Sequence, residues 1–459
     1  MQREHLASRL GFILLSAGCA IGIGNVWKFP WMAGQYGGGI FVLIYLFFLL
    51  VLGVPVMTME FAMGRAAQKS PVKLYQQLEN PGSKWHWHGI VCLLGNLILM
   101  MFYTTVAGWM LQYFVSTAAG VFKGLDADAV AGKFGEMLAT PSTQIVYMAV
   151  IVVSGFLIIS KGVQKGLEKV TKWMMMALIV LMLVLAANSL FLDGGEAGLK
   201  FYLLPDLNRA EEIGFINVCV GAMNQAFFTL SLGIGAMAIF GSYIGKDHAL
   251  AGESVRVCCL DTLVALCSGL IIFPACFAYG VDVNAGPALI FITLPNVFNN
   301  LPMGRFWGSL FFIFMTFAAY STVLAVFEGI VACIQDLTHW SRKKTCLICC
   351  IGILLLSLPC IFGYNIWKNF HPIAGRDVLD SEDFLVSTLL LPIGSLIFVI
   401  FCTSRYGWGF KKFTEEANQG SGLKISTGKA MKFYMSYILP VIVAVILILG
   451  LYTFFAPAK

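Results

Sequence analysis

The chain contains 459 residues, of which 59% are hydrophobic and 12% are charged. Soluble globular proteins carry about 25% charged residues, so this composition excludes an ordinary water-soluble enzyme and indicates a membrane protein. The net charge of +6 would suggest an anionic partner in a soluble protein. In a membrane protein, it must first be compared with the distribution of lysine and arginine among the loops.

Eleven apolar segments are long enough to cross a bilayer, which takes about 20 mostly apolar residues. They lie near residues 10–34, 38–63, 89–118, 143–160, 170–192, 214–243, 255–280, 306–334, 346–363, 384–403 and 433–455. A further apolar stretch, residues 288–297, is too short and too interrupted by proline to span, and it predicts a re-entrant or capping hairpin.

The loops predict the orientation of the chain. With the N-terminus in the cytoplasm, most of the 30 lysines and arginines fall in cytoplasmic loops, as the positive-inside rule requires. The odd number of spans then places the C-terminus outside the cytoplasm, on the extracellular or periplasmic side. Because topology accounts for the net charge, we expect a multi-pass protein of the cell membrane that contacts lipid and has no nucleic-acid partner.

Two spans contain residues that interrupt a helix. The first carries Gly18, Gly22, Gly24 and Asn25, and the sixth carries Thr229, Ser231, Gly233 and Gly235. Small residues four apart also occur where membrane helices pack closely, and this would be the preferred interpretation of either segment alone. The two segments, however, hold equivalent positions in two successive sets of five spans. Interrupted helices at matching positions are typical of the binding site of a secondary transporter.

Three acidic residues lie inside apolar spans, where a charge is costly and is usually functional. Glu60 in the second span is expected to bind unwound backbone of the sixth. Asp261 in the seventh span is a candidate ion ligand, although a carboxylate that reaches the cytoplasmic surface is the alternative. Glu328 lies in the eighth span with Ser321 and Thr322, whose hydroxyls could bind Na⁺ or merely the preceding helical turn.

These motifs together resemble those of the neurotransmitter:sodium symporter family, in particular its bacterial amino-acid transporters. The resemblance covers essentially the whole chain and is carried by Gly22-Ile23-Gly24-Asn25-Val26-Trp27-Lys28-Phe29-Pro30, Glu60-Phe61-Ala62-Met63-Gly64-Arg65, Gln225-Ala226-Phe227-Phe228-Thr229-Leu230-Ser231 and Phe291-Ile292-Thr293-Leu294-Pro295. It implies an all-α polytopic membrane protein with a single domain, residues 1–459. The implied fold is a LeuT-like 5+5 inverted repeat, about 10–192 and 214–403, with broken first and sixth helices and one additional helix at about 433–455.

The resemblance also implies two Na⁺ sites and a substrate site at the helix breaks. The first Na⁺ site would consist of Ala20, Asn25, Thr229 and Asp261 with the substrate carboxylate, and the second of Gly18, Ile21, Ala318, Ser321 and Thr322. The carboxylate and ammonium groups of the substrate would lie against Ala20, Gly22, Ile23, Gly24, Tyr103, Phe228, Thr229 and Ser231. Its side chain would contact Cys19, Leu99, Phe228, Ile234, Thr322 and Val326.

Two gates follow from the same resemblance. The outer gate would pair Lys28 with Asp383, and the inner gate would consist of Arg3, Ser242, Tyr243 and Asp336. Relatives often have arginine in place of Lys28. The ammonium of Lys28 is a point charge, so its contact with Asp383 is expected to be weaker than the bidentate contact of a guanidinium. Met176 stands where many relatives have a proline that lets the fifth helix unwind, which leaves the opening of the inner side unexplained.

The expected function is Na⁺-coupled import of a neutral L-amino acid by alternating access. A hydrophobic or aromatic amino acid is favoured because the implied pocket is apolar, with glycine or alanine as alternatives. Monoamine carriers of the family have an aspartate in place of Gly22, so we expect a substrate with its own carboxylate. Asp261 replaces a usual amide, and its charge predicts transport without chloride.

Two other classes of function stay open at this stage. The first is a proton-coupled or exchange amino-acid carrier of the same fold. The second, a membrane enzyme or sensor, is remote because the six histidines lie in loops or at span ends and no HExxH or GxSxG motif occurs. The sequence does not determine the number of Na⁺ ions or the oligomeric state, and it indicates no cofactor other than Na⁺.

Overall fold

The computed structural model describes residues 6–280 and 289–455, without the side chains of Leu289 and Asn300. Nine helices in these ranges are long and apolar enough to span a membrane, or ten when one bent pair counts as a span. In chain order they are Arg9–Ala20 with Gly24–Gln35, Gly39–Ala67, Trp87–Ala119, Pro141–Ser160, Val163–Leu190, Leu250–Ala278, Gly304–Thr338, Arg342–Phe362, Val378–Thr403 and Lys429–Phe455.

Two shorter helices, Phe215–Thr229 and Ala236–Gly241, lie where the sixth span is predicted. Each of the eleven predicted segments therefore corresponds to a helix or to a pair of helices, and we number them span 1 to span 11. The inner end of the bundle contains residues 6–9, 65–87, 160–168, 241–250, 336–342 and 403–429. The outer end is the opposite one.

Span 1 breaks in its middle, as the glycine pattern predicts. Its first helix ends at Ala20 because Ile21 takes an extended conformation, with ψ of 101°. Helical hydrogen bonding resumes at Gly24, and the axes of the two pieces differ by 58°. The Gly22 N–H, which the break releases, donates to the side-chain oxygen of Asn25 at 3.0 Å, so this polar group is satisfied in an apolar interior.

Span 6 breaks between Thr229 and Ala236, and here the backbone itself prevents a continuous helix. Ser231, Gly233 and Gly235 have φ angles of 50°, 102° and 73°, in the left-handed region that only glycine enters without cost. A side chain at Gly233 would also collide with the Leu391 carbonyl of span 10. Gly233 is therefore required both by its conformation and by the close approach of span 10.

Span 8 forms the centre of the bundle and span 11 its edge. In the most apolar 18-residue stretch of span 8, 83% of the residues are buried, whereas only 17% are buried in span 11. Span 8 packs against spans 1, 3, 4 and 5. Span 6 also contacts it through helix Ala236–Gly241, so both broken spans lie beside the most enclosed of the described spans.

A short apolar helix covers the outer end of span 3. It includes Ile290–Asn299, too short to span, and its Phe291 ring lies 4.9 Å from Tyr113, 5.1 Å from Phe134 and 5.9 Å from Trp109. This agrees with the capping element predicted for this region, of which residues 281–288 lie outside the described part of the chain.

Candidate functional site at the two helix breaks

The breaks in spans 1 and 6 meet at an acidic residue of span 7. The Asn25 amide donates to Asp261 Oδ1 at 2.7 Å and to the Thr229 hydroxyl at 3.1 Å. The Thr229 hydroxyl donates to Asp261 Oδ2 at 3.0 Å. Asn25 and Asp261 are fully buried and Thr229 is 2% exposed, which rules out a carboxylate that reaches the surface.

This arrangement joins three helices through oxygen-rich side chains. A buried carboxylate needs a cation or strong hydrogen bonds to offset its lost hydration, and Asp261 has two such bonds. Hard cations such as Na⁺ prefer oxygen ligands. The cluster of Asn25, Thr229 and Asp261, which we call the Asp261 cluster, is chemically suited to bind such a cation. It is also the set assigned to the first Na⁺ site, together with the nearby Ala20 at the end of the first helix.

A second group of oxygens lies between spans 1 and 8. The Thr322 hydroxyl is 3.3 Å from the Gly18 carbonyl and 3.2 Å from the Ile21 carbonyl. The Ser321 hydroxyl donates to the Ala318 carbonyl at 2.9 Å and lies 3.5 Å from that of Ile21. The carbonyls of Gly18, Ile21 and Ala318 thus converge on the hydroxyls of Ser321 and Thr322. This is the arrangement that the resemblance predicts for a second Na⁺ site.

The substrate site assigned by resemblance is tightly built at Gly22 and Gly24. The Ile23 N–H donates to the Tyr103 hydroxyl at 3.1 Å. A Cβ at Gly22 would collide with that hydroxyl and lie 2.9 Å from the Thr322 hydroxyl, while one at Gly24 would lie 2.8 Å from the Phe228 ring. Span 1 can therefore approach spans 3, 6 and 8 this closely only with glycine at both positions.

The remaining predicted substrate contacts are mainly apolar. Cys19, Ile234 and Val326 are buried, whereas Leu99 and Phe228 are partly exposed. Ser231 is partly exposed and has the left-handed backbone of the span 6 break. No charged side chain belongs to this set, so a charged substrate side chain would find no partner among these residues.

Glu60 holds the break in span 6 in place. Its carboxylate accepts the Gly233 N–H at 2.6 Å, and Glu60 itself is fully buried in span 2. This is the bond to unwound backbone that the sequence predicts. Its role is to satisfy the backbone released by the break.

The residues assigned to the outer gate do not pair directly. The Lys28 ammonium lies 3.7 Å above the centre of the Phe228 ring, and Asp383 accepts a hydrogen bond from Ser387 at 2.6 Å. Within the described ranges, no ion pair joins Lys28 to Asp383. The expected gate contact is thus replaced by a cation–π contact on an aromatic ring of the predicted substrate pocket.

The inner gate is more extensive than the four predicted residues. Arg3 lies outside the described residues. Asp336 accepts the N–H and the hydroxyl of Ser70 at 2.8 and 2.6 Å, and the Ser242 hydroxyl donates to the Ile239 carbonyl at 2.6 Å. Tyr243 donates to Glu328 at 2.7 Å, which ties the gate to span 8.

Two residues beside these sites could not be recognised from the sequence. Arg342 forms an ion pair with the buried Glu328, but in the sequence it stands in a basic run that topology alone explains. Tyr45 is fully buried, and its hydroxyl lies near Thr229 and Asp261 of the Asp261 cluster. Its only sequence signal is a tyrosine in an apolar run, which is also typical of ordinary packing.

An all-helical membrane bundle with two broken spans, and with oxygen ligands and a small-molecule pocket at the breaks, defines a secondary transporter. The chain belongs to the sodium:neurotransmitter symporter family, whose model matches residues 3–122 and 133–459. It is 35% identical to an uncharacterized sodium-dependent transporter of Bacillus subtilis over 96% of both chains. It is 31% identical to another from Methanocaldococcus jannaschii, over 98% of this chain and 90% of that one.

A solved structure agrees with this assignment. The crystal structure of MhsT in complex with L-phenylalanine is similar to this chain with a TM-score of 0.87 and 34% identity, over 98% of this chain and 99% of that one. The predicted LeuT-like all-α fold is therefore confirmed. The protein is a sodium-coupled transporter of a small molecule in a membrane, and it is not an enzyme.

Proposed function

We propose that the protein imports a neutral amino acid with a hydrophobic or aromatic side chain, together with Na⁺ and without chloride. The observation that carries this proposal is the fully buried Asp261 carboxylate at the meeting point of both helix breaks. It provides a fixed negative charge next to the proposed Na⁺ ligands. Chloride would otherwise have to supply that charge.

Coupling between Na⁺ and substrate follows from the shared site. The proposed first Na⁺ site contains Asn25, Thr229 and Asp261, and the substrate carboxylate completes it beside the Ile23 N–H. An ion and an anionic group that bind in contact each raise the affinity of the other, and linkage makes this effect reciprocal. A second ion between Gly18, Ile21 and Thr322 would hold span 1 against span 8 while the substrate is bound.

The pocket supports the choice of substrate. No side chain fits at Gly22, so the carrier has no acid of its own there, and a substrate that brings a carboxylate is favoured. The predicted side-chain contacts are apolar, which penalises a charged substrate. A related transporter of known structure binds L-phenylalanine, and this supports an aromatic amino acid over glycine or alanine.

The loop charges support the orientation with the N-terminus in the cytoplasm and the C-terminus outside. In that orientation, the inner end faces the cytoplasm, and Lys28 and Asp383 lie on the outer path to the substrate. The two repeats, about 10–192 and 214–403, would move relative to each other around the fixed site.

The proposal is tested by binding and uptake measurements on the purified, reconstituted protein. Labelled phenylalanine, leucine and glycine are offered in Na⁺ or choline medium, and with chloride or gluconate. We expect binding of phenylalanine or leucine that needs Na⁺ and is unchanged in gluconate. Uptake that persists in choline with a pH gradient would contradict Na⁺ coupling, and loss of activity in gluconate would contradict chloride independence.

Two variants test the role of Asp261. Asp261→Asn should lower the apparent Na⁺ affinity at least tenfold, whereas Asp247→Asn, which removes an exposed carboxylate at the inner end, should not. Ala265 lies one helical turn after Asp261, at a position where chloride-dependent relatives have a hydroxyl. The double variant Asp261→Asn with Ala265→Ser therefore has the amide and the hydroxyl of those relatives, and we expect chloride to restore its substrate binding. A double variant that ignores chloride would disprove the proposed charge replacement.

A further inference from the structure

Span 10 begins with an unusually acidic stretch at the outer end of the protein. Residues 377–383 contain four carboxylates, and three of them have an evident environment. Asp377 caps the helix by accepting the Asp380 N–H at 2.8 Å, Asp380 is exposed, and Asp383 accepts the Ser387 hydroxyl at 2.6 Å. The fourth, Glu382, differs from all of them.

Glu382 is a buried carboxyl group without a partner. The residue is only 6% exposed. Its carboxyl oxygen Oε2 is shielded from solvent and has no hydrogen bond. In the described ranges, no hydrogen bond or ion pair involves the side chain of Glu382. Asp261 and Glu60 are more deeply buried than Glu382, yet both accept hydrogen bonds, although Oε2 of Glu60 also lacks a partner. Burial alone therefore does not explain why the Glu382 side chain accepts no hydrogen bond.

Among the described residues, no lysine or arginine forms an ion pair with Glu382, while Arg376 and Lys28 interact with the neighbouring carboxylates of Asp380 and Asp383. Helix Val378–Asp383 packs against span 3 and the end of span 9. On span 9, the Cys360 thiol interacts electrostatically with Glu382 and lies beside Thr105 of span 3. Thr105 itself is 1% exposed.

The charged groups near Glu382 oppose its ionisation. Asp377, on the same helix, repels a negative charge at Glu382, and Asp380 and Asp383 add to the negative charge of the stretch. The hydroxyl of Tyr364 after span 9 lies near Asp377 and Asp380. The neighbouring cation, Arg376, lies 4.4 Å from the Phe454 ring of span 11 and forms a cation–π contact there.

An ionised carboxylate without a partner is costly in such an environment, and the least costly state carries a proton. We propose that Glu382 is a proton-binding site of the outer half of the transporter. Water on the outer side supplies the proton to one carboxyl oxygen as the start of span 10 closes over the group, and the proton stays bound while the segment is packed as it is here. The proton returns to water when that segment moves and exposes the carboxyl group.

The adjoining backbone is suited to such a movement. A π-helical stretch, Phe384–Leu390, begins two residues after Glu382, and insertions of this kind often mark functional positions in helices. Asp383, which is assigned to the outer gate, lies between Glu382 and this π-helical stretch. Opening of the outer gate would therefore ionise Glu382, and a low external pH would favour the closed gate.

The direct test is infrared spectroscopy of the purified full-length protein, which does not depend on the transport proposal. A protonated carboxylic acid has a carbonyl-stretch band that a carboxylate lacks. We expect Glu382→Gln to remove one such band at neutral pH, and Glu382→Asp to keep one at a shifted position. Asp380→Asn, which changes an exposed acid on the same helix, should leave the band intact. An unchanged band in Glu382→Gln would disprove the proposal.

The functional test uses uptake into vesicles at several external pH values, and this part rests on the proposed transport. The rate for the parent protein should fall as external pH falls. Glu382→Gln, which is always neutral, should lose this part of the pH dependence, whereas Asp128→Asn, which removes an exposed carboxylate at the outer end, should keep it. If the infrared band disappears in Glu382→Gln but the pH profile does not change, a proton is bound but the assigned link to the gate is wrong. If no variant shows uptake under any condition, the transport proposal fails while the infrared result still decides the proton site.

Discussion

The two ends of the bundle are held together by different kinds of interaction. At the inner end, ion pairs join separate helices: Arg9 with Glu253, Arg65 with Glu416, and Arg342 with Glu328. At the outer end of the described chain, the ion pairs are local and exposed, as for Lys133 with Glu136, Lys200 with Glu196, and Arg209 with Asp206.

This difference has an energetic consequence for the transport cycle. Exposed local ion pairs contribute about 0–1 kcal/mol each, whereas breaking a buried pair by removing one partner costs about 3–5 kcal/mol. The inner end must exchange several buried interactions for water when it opens, and the outer end exchanges few. In this structure, buried ion pairs between helices hold the inner end, whereas the ion pairs at the outer end of the described chain are local and weaker.

The largest expected effect comes from removing Arg342. Its guanidinium pairs with Glu328, which is fully buried and also accepts the Tyr243 hydroxyl. Arg342→Leu leaves this carboxylate without its cation, and we expect a loss of about 3–5 kcal/mol in the free energy of unfolding. The change is measured as a lowered midpoint of thermal unfolding in detergent.

Two further variants separate the lost pair from general damage. Lys343→Leu removes the exposed cation next in sequence and should leave the midpoint nearly unchanged. Adding Glu328→Gln to Arg342→Leu removes the unpaired charge and should recover part of the stability. If Arg342→Leu is no worse than Lys343→Leu, the inner end is not held by buried pairs and the contrast between the ends fails.

An intermediate effect is expected at Glu168, which ties the start of span 1 to span 5. Its carboxylate accepts the Ala7 N–H at 2.8 Å and the Ser8 hydroxyl at 3.1 Å, while Ser8 itself caps span 1. Glu168→Gln keeps the size but removes the charge and one acceptor, and hydrogen bonds to charged groups are each worth about 1.5–3 kcal/mol. We expect faster amide exchange in residues 6–11.

The matched control for Glu168 is Glu415→Gln. Glu415 is exposed and forms only a local pair with Lys411, so amide exchange in residues 6–11 should stay as in the parent protein. Because span 5 lacks the proline that unwinds it in many relatives, release of the Glu168 contacts is the alternative route by which the inner end could loosen. Unchanged exchange in Glu168→Gln would remove this route.

The sequence predicts the parts of the site that depend on local backbone chemistry. Gly22 and Gly24, and Ser231 with Gly233, indicate helix breaks because the two segments hold matching positions in two sets of five spans, although either one alone would suggest close helix packing. The matching positions of the two breaks then predict where the ligands converge. Asp261 was ambiguous because a position along a helix does not determine whether a side chain reaches the surface.

The interactions that the sequence could not predict depend on which residues of distant segments meet. In the sequence, Glu382 looks like its neighbours Asp377, which is partly exposed, and Asp380, which is exposed. Only the packing of span 10 on spans 3 and 9 distinguishes it. Arg342 and Glu168 stand among charges that topology explains. The same holds for Lys28, whose expected partner Asp383 is replaced by the Phe228 ring.

The smallest expected effect concerns the contact between Lys28 and the Phe228 ring. It tests the comparison of the two ends at the outer end. The Lys28 ammonium above the Phe228 ring contributes about 0.5–1 kcal/mol as a partly exposed cation–π contact, so Lys28→Met should speed dissociation of bound amino acid about 2- to 5-fold. Since Asp383 bonds to Ser387 instead of Lys28, Asp383→Asn should change dissociation less than Lys28→Met does. Equal acceleration in both variants would mean that an ion pair between Lys28 and Asp383 holds the outer end. Both ends would then be held by ion pairs between helices, which differ only in strength.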